Sequence, residues 1–147
     1  MENRLLGYLY YFNVKHDYFE CHEYGESLWL DSGRPVVLKG LIQAAVCLYH
    51  LENGNVKGAW RMWQRAKTYL APSLPVFEGI NLTQLTADID EVFHRVPQTL
   101  YHQVIAPSRI TKLDLPRVLI HITDPHMKAA LEHWSPGEHD LDDESND

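Results

Sequence analysis

Apolar residues in the first two thirds of the chain recur at the spacing of helix faces, not of strands. Leu5, Tyr8, Leu9 and Phe12 fall on one side of a helix, which predicts a short first helix ending near Asn13. Asp17 with Glu20 three residues on reads as a capping box in which Asp replaces the usual Ser or Thr, so a second helix is expected from Tyr18 to Asp31. The turn Asp31-Ser32-Gly33-Arg34-Pro35 leads into a third helix, Val36 to Asn53, that is apolar around nearly its whole circumference and so belongs at the centre of a domain. Asn55 can cap a fourth helix, with Ala59, Met62, Trp63, Ala66, Tyr69 and Leu70 on one face. After the rigid link Ala71-Pro72-Ser73-Leu74-Pro75, Asn81 or Thr83 opens a fifth helix striped by Leu82, Leu85, Ile89, Val92, Phe93 and Val96, and Pro97 ends or kinks it.

Beyond Pro97 the pattern weakens. Arg117 to Ile122 reads as a short extended piece, and Asp124-Pro125 followed by Met127, Ala130 and Leu131 as a small terminal helix. The expected fold is all-α, a bundle or array of about five helices around a central buried one. One domain spans residues 1–135, and 136–147 form a disordered acidic tail.

Composition narrows the function classes. A chain of 147 residues with 45% hydrophobic and 22% charged positions can bury one core and is not disordered as a whole. Its net charge is −7, but Glu138, Asp140, Asp142, Asp143, Glu144 and Asp147 carry nearly all of that excess. The near-neutral body has no basic stripe, so nucleic acid is not an expected partner. No apolar run approaches the roughly 18 to 20 residues of a membrane span, so no membrane is expected either. Leu5 to Phe12 is interrupted by Gly7 and lacks a small-x-small cleavage site, so it is expected to be folded structure and not a signal peptide. Cys21 and Cys47 form no CxxC and suit a reducing cytoplasm.

The candidate chemistry lies on the second and third helices. At about 100° per residue, with His22 as zero, Tyr18, Phe19, Cys21, Gly25, Leu28, Trp29 and Leu30 occupy one arc, and His22 and Glu26 sit in its middle. Glu20, Tyr24, Ser27 and Asp31 lie opposite, and Glu23 is at the border. An imidazole and a carboxylate in a buried stripe must each find a partner. On the third helix, Lys39, Gln43 and His50 form one polar stripe. An antiparallel hairpin places Gln43 against His22 or Glu23, Lys39 or Gly40 against Glu26, and His50 nearer Asp17.

Two readings stand side by side. In the first, His22, Glu26 and His50 are ligands of a divalent metal (zinc, manganese or iron), and Glu23 is the general base on a metal-bound water. The spacing HExxE is not the HExxH of zincins. In the second, the same groups form a buried structural network, with Gln43 on His22 and Lys39 on Glu26. Trp29 is a core anchor whose indole N–H serves either reading. Cys47 and His50 can be read as a thiol and its base, or Cys47 as a small buried hydrophobe. Trp60 and Trp63 can be read as a stacking pair, or Trp63 as core with Trp60 at its edge. His94, His102, His121, His126, His133 and His139 show no ligand spacing.

Phe12-Asn13, Tyr18-Phe19-Glu20-Cys21-His22-Glu23-x-x-Glu26-x-x-Trp29, Gly40-Leu41-Ile42-Gln43-Ala44-Ala45 with Tyr49-His50, and Gly54-Asn55-x-x-Gly58-Ala59 follow one another along the chain. Over roughly residues 10 to 70 this order resembles the bacterial family labelled domain of unknown function 309. The resemblance implies a small all-helical protein and an activity of metal-dependent hydrolase type. Gly25 stands where that family more often has an aliphatic residue, and the chain after Pro97 lies outside the pattern. Two classes of function follow: a small enzyme with a divalent metal between its second and third helices, or a non-catalytic helical module that contacts a protein partner or a second copy of itself.

Overall fold

A computed structural model describes residues 2–137. The elements are α1 (Asn3–Asn13), α2 (Tyr18–Asp31), α3 (Val36–Glu52), α4 (Val56–Leu70), β1 (Val76–Phe77), β2 (Ile80–Asn81), α5 (Leu82–Arg95), α6 (Pro107–Thr111) and α7 (Pro125–Glu132). The protein is thus mainly helical, with a two-residue antiparallel hairpin in the link before α5. α1 packs on α2, α2 on α3 and α3 on α4, so α3 lies inside the array, as its apolar circumference requires.

Local chemistry sets the helix starts. Asn55 Oδ1 accepts from the Gly58 N–H at 3.0 Å, Asn81 Oδ1 from the Gln84 N–H at 2.9 Å, and Asp124 Oδ1 from the His126 N–H at 2.8 Å. Asp17 Oδ1 likewise accepts from the Glu20 N–H at 3.0 Å, but the reciprocal half of the capping box is replaced. The Asp17 N–H donates instead to the Tyr11 carbonyl at 2.8 Å, tying the α1–α2 turn to α1.

The α5 stripe is buried as expected, at Leu82, Leu85, Ile89, Val92, Phe93 and Val96. On α4, Ala59, Trp63, Ala66 and Leu70 are buried, while Met62 and Tyr69 are half-buried. The Trp63 indole donates to Asp90 Oδ1 at 2.8 Å, which pins α4 to α5. Trp60 stacks on Tyr101 with ring centroids 4.4 Å apart, so its partner is internal and it does not pair with Trp63.

α2 departs from its predicted orientation. Its buried residues are Tyr18, Cys21, Tyr24, Gly25 and Leu28, a stripe centred near Cys21 and not on His22. That is a shift of one residue, about 100°. Two glycines account for it. A Cβ on Gly7 of α1 would lie 2.4 Å from Tyr24 Cδ1, so only glycine leaves room for that ring. Tyr24, placed by the wheel on the solvent side, stacks on Tyr11 at 5.5 Å and meets Trp134 edge-on at 5.8 Å. A Cβ on Gly25 would lie 2.9 Å from Ile42 Cγ1 and 3.2 Å from Tyr8 Cδ2, so α1, α2 and α3 converge there. Phe19 and Leu30, expected in the buried arc, are exposed.

The C-terminal third is laid on the helices. Residues 117–122 form no regular strand, but Val118 and Ile120 are buried in alternation. The Asn13 carboxamide takes the place of a neighbouring strand: Nδ2 donates to the Ile120 carbonyl at 2.9 Å, and the Ile120 N–H donates to Oδ1 at 2.8 Å. Further on, Ile122 bridges Ile80, and the Asn81 N–H donates to the His121 carbonyl at 2.9 Å. Gly54, at φ +86°, ends α3, and a Cβ there would lie 1.9 Å from the Ile105 carbonyl oxygen. The Ile105 N–H donates to the Gly54 carbonyl at 2.8 Å. α7 docks on α1, where the Trp134 indole donates to Asn3 Oδ1 at 2.7 Å. The acidic tail expected at the end of the chain lies, from residue 138 onward, outside the described residues.

Candidate functional site

His22, Glu23 and Glu26 stand on the outer side of α2. Their side chains are 24%, 43% and 50% exposed, so the expected buried polar centre is not formed. Rotation of α2 about the Gly7 and Gly25 contacts takes His22 and Glu26 out of the interhelical seam. The three still meet, because i,i+1 and i,i+4 spacing on one helix suffices. His22 Nε2 lies 2.9 Å from Glu26 Oε2, and Nδ1 lies 3.2 Å from Glu23 Oε1.

The polar stripe of α3 does not join them. Lys39 Nζ sits 4.9 Å from the centre of the Tyr69 ring, a cation–π contact with α4 and not an ion pair with Glu26. Gln43 Oε1 is buried without a hydrogen-bond partner, so its pairing with His22 is not made. His50 is half-buried, with its ring 6.1 Å from that of Tyr49. Trp29 is half-buried, and its indole N–H is also a buried group without a partner, while the Arg34 guanidinium lies over the ring at 5.4 Å. Among the described residues, α2 and α3 therefore hold one buried donor and one buried acceptor without a partner. Buried polar atoms are seldom left so.

As arranged, these residues are not gathered into a metal site. Among the described residues, no group of three His, Cys, Asp or Glu side chains is placed to hold one. His22 and Glu26 offer two donors from a single helix, and Glu23 is turned to the other ring nitrogen. Cys47 is fully buried and its Sγ donates to the Ala44 carbonyl at 3.1 Å. Burial pushes its thiol far above the ordinary range, so it is a core residue and not a nucleophile served by His50. His94, His102, His121, His126 and His133 are exposed, and His139 lies outside the described residues.

Two features escaped sequence reasoning. One is an aromatic surface, where the exposed rings of Phe19 and Tyr49 meet at 6.0 Å across α2 and α3, with His22 6.0 Å from Phe19. The helical wheel puts Phe19 in the buried arc, and the one-residue rotation exposes it. The other is a cavity of about 300 Å³ where the start of α2, the end of α3 and residues 110–118 meet. His16, Tyr18, Glu52 and Arg117 line it, and no spacing links them because they come from three separate stretches.

Set beside known proteins, residues 5–62 match the family described as Domain of unknown function (DUF309). The chain carries that domain, which here comprises α1, α2, α3 and the first half of α4. It is a distant homologue of the Uncharacterized protein YpuF of Bacillus subtilis (strain 168), 30% identical over 115 residues. That alignment covers 74% of this chain and 66% of the relative, just under two thirds of its length. No solved structure matches. Among the described residues, no helix is long and apolar enough to cross a membrane.

Proposed function

We propose that this chain is a non-catalytic helical module and that the outer face of α2 and α3 is its surface for a protein partner. The observation that carries the reading is the exposed aromatic pair, Phe19 at 53% and Tyr49 at 38% exposure, beside the charged trio His22, Glu23 and Glu26. Exposed aromatic anchors flanked by charged groups are the composition of protein–protein hot spots.

A photo-crosslinking residue at position 19 of the full chain, expressed in its native host, tests this. The expected result is a discrete adduct with another protein, lost on Tyr49→Ser and absent when the crosslinker stands at Glu91 of α5. Equal labelling from positions 19 and 91, or none from 19, overturns it.

A second reading is a metal-dependent hydrolase, favoured by the 2.9 Å approach of His22 Nε2 and Glu26 Oε2, two donors on successive turns. Zinc, manganese or iron would bind there with Glu23 or His50 recruited as a further ligand. Melting curves of wild type and Glu26→Gln with and without zinc or manganese decide it: stabilisation of wild type alone supports the metal, and no shift in either removes it.

A further inference from the structure

The cavity between the helical array and the C-terminal third has the makings of a ligand site independent of the α2–α3 surface. Its lining is mixed, with Leu48, Leu51, Val92, Ile110 and Val118 supplying an apolar side, and its volume of about 300 Å³ falls at the lower end of small-molecule pockets. Its rim carries His16, Glu52, Asp114 and Arg117.

Arg117 is held from outside the cavity. One Nη2 hydrogen goes to the Asn13 carbonyl at 2.5 Å, and the same Asn13 clasps Ile120 three residues on. Among the described residues the guanidinium makes no further hydrogen bond and has no carboxylate at ion-pair distance, so its remaining donors are available for a fork-type contact.

No carboxylate of the rim pairs directly with Arg117. His16 is fixed at φ +53°, with its ring 4.8 Å from that of Tyr18 and Nε2 3.4 Å from Glu52 Oε1. That approach favours a charged pair. Burial and the facing Arg117 outweigh it on the histidine, whose affinity for a proton falls below the ordinary value. Burial and the neighbouring Asp17 raise Glu52 in the opposite sense, toward its neutral acid. Asp114 stands on the exposed rim.

We propose that this cavity binds a small organic carboxylate with an apolar body, the carboxylate on Arg117 and the body against Leu48, Ile110 and Val118. A medium-chain carboxylate suits the volume and the lining.

Octanoate is the probe, titrated into the full chain and followed by two-dimensional NMR, with 1-octanol as the uncharged control. The expected result is saturable binding with shifts at Leu48, Ile110 and Val118, weakened by about tenfold or more in Arg117→Gln, with octanol binding more weakly than octanoate. Leu115→Trp, which fills the cavity from its half-buried edge, keeps the test open if the arginine variant is unfolded, and it should abolish binding. The proposal is overturned by equal binding of octanol and octanoate, by shifts confined to other residues, by unchanged affinity in a folded variant, or by no saturation at millimolar concentrations.

Discussion

The array of α1 to α4 and the chain beyond α5 are built on opposite plans. Within the array most backbone hydrogen bonds close inside each helix, caps come from adjacent residues, and neighbours in sequence are neighbours in space. Among the described residues beyond Arg95 there are only α6, a single 3₁₀ turn and α7, and between them the chain borrows its partners. Ile120 is satisfied by the side chain of Asn13, Ile105 by the carbonyl of Gly54, and Thr123 by the carbonyl of Gly79. The array contains the DUF309 match, yet Asn13 and Gly54 within it serve the segment outside it. Part of that domain's pattern is therefore a landing site for the rest of the chain.

The sharpest way to break this division is Gly54→Ala. A left-handed residue whose new Cβ meets a backbone carbonyl has no escape except displacement of residues 103–105. We expect a loss of about 3–4 kcal/mol in denaturant unfolding, with α1 to α3 still helical by circular dichroism. If the loss is negligible, the C-terminal segment is not seated on that turn.

Asn13→Ala should cost about 2–3 kcal/mol, because it strands the N–H and carbonyl of a buried residue. Amide exchange at Ile120 should accelerate while that of α5 stays protected. Uniform acceleration would mean that the two regions unfold as one unit.

A smaller effect is expected from pH. The folded-state affinity of His16 for a proton is lowered from the ordinary 6.5, so its contribution is present above that value and is lost as pH falls through it. His16→Asn, which tolerates the left-handed backbone, should flatten the fall in melting temperature below neutrality. An unchanged slope would show that the junction between the two regions does not feel this group.

The smallest effect separates the surface reading of α2 from the buried one. Placed in a core network, Glu26→Ala would cost roughly 2–4 kcal/mol. On the half-exposed ridge seen here it should change stability by less than about 0.5 kcal/mol. A large loss in a urea titration would restore the buried arrangement.

Most helix positions were legible along the chain because capping and periodicity are local; α6, which no side chain caps, was not. Asp17, Asn55, Asn81 and Asp124 each begin a helix where the side chain predicts it, and the α5 stripe is buried residue for residue. The meeting of His22 with Glu23 and Glu26 was legible for the same reason, since one helix turn brings them together. Which way that trio faces was not. α2 carries large apolar groups on every side, Phe19, Tyr24 and Leu30 among them, so its wheel has no single answer. The answer came from Gly7 and Gly25, whose missing side chains let Tyr24, Tyr8 and Ile42 close the seam. The aromatic surface and the cavity of His16, Glu52 and Arg117 lie further still from any pattern in the chain. They exist because helices meeting at those glycines turn one face outward, and because a segment without periodicity is fastened to the side chain and carbonyl of Asn13, about a hundred residues earlier. Packing between distant residues is the level at which this protein's working surfaces are made.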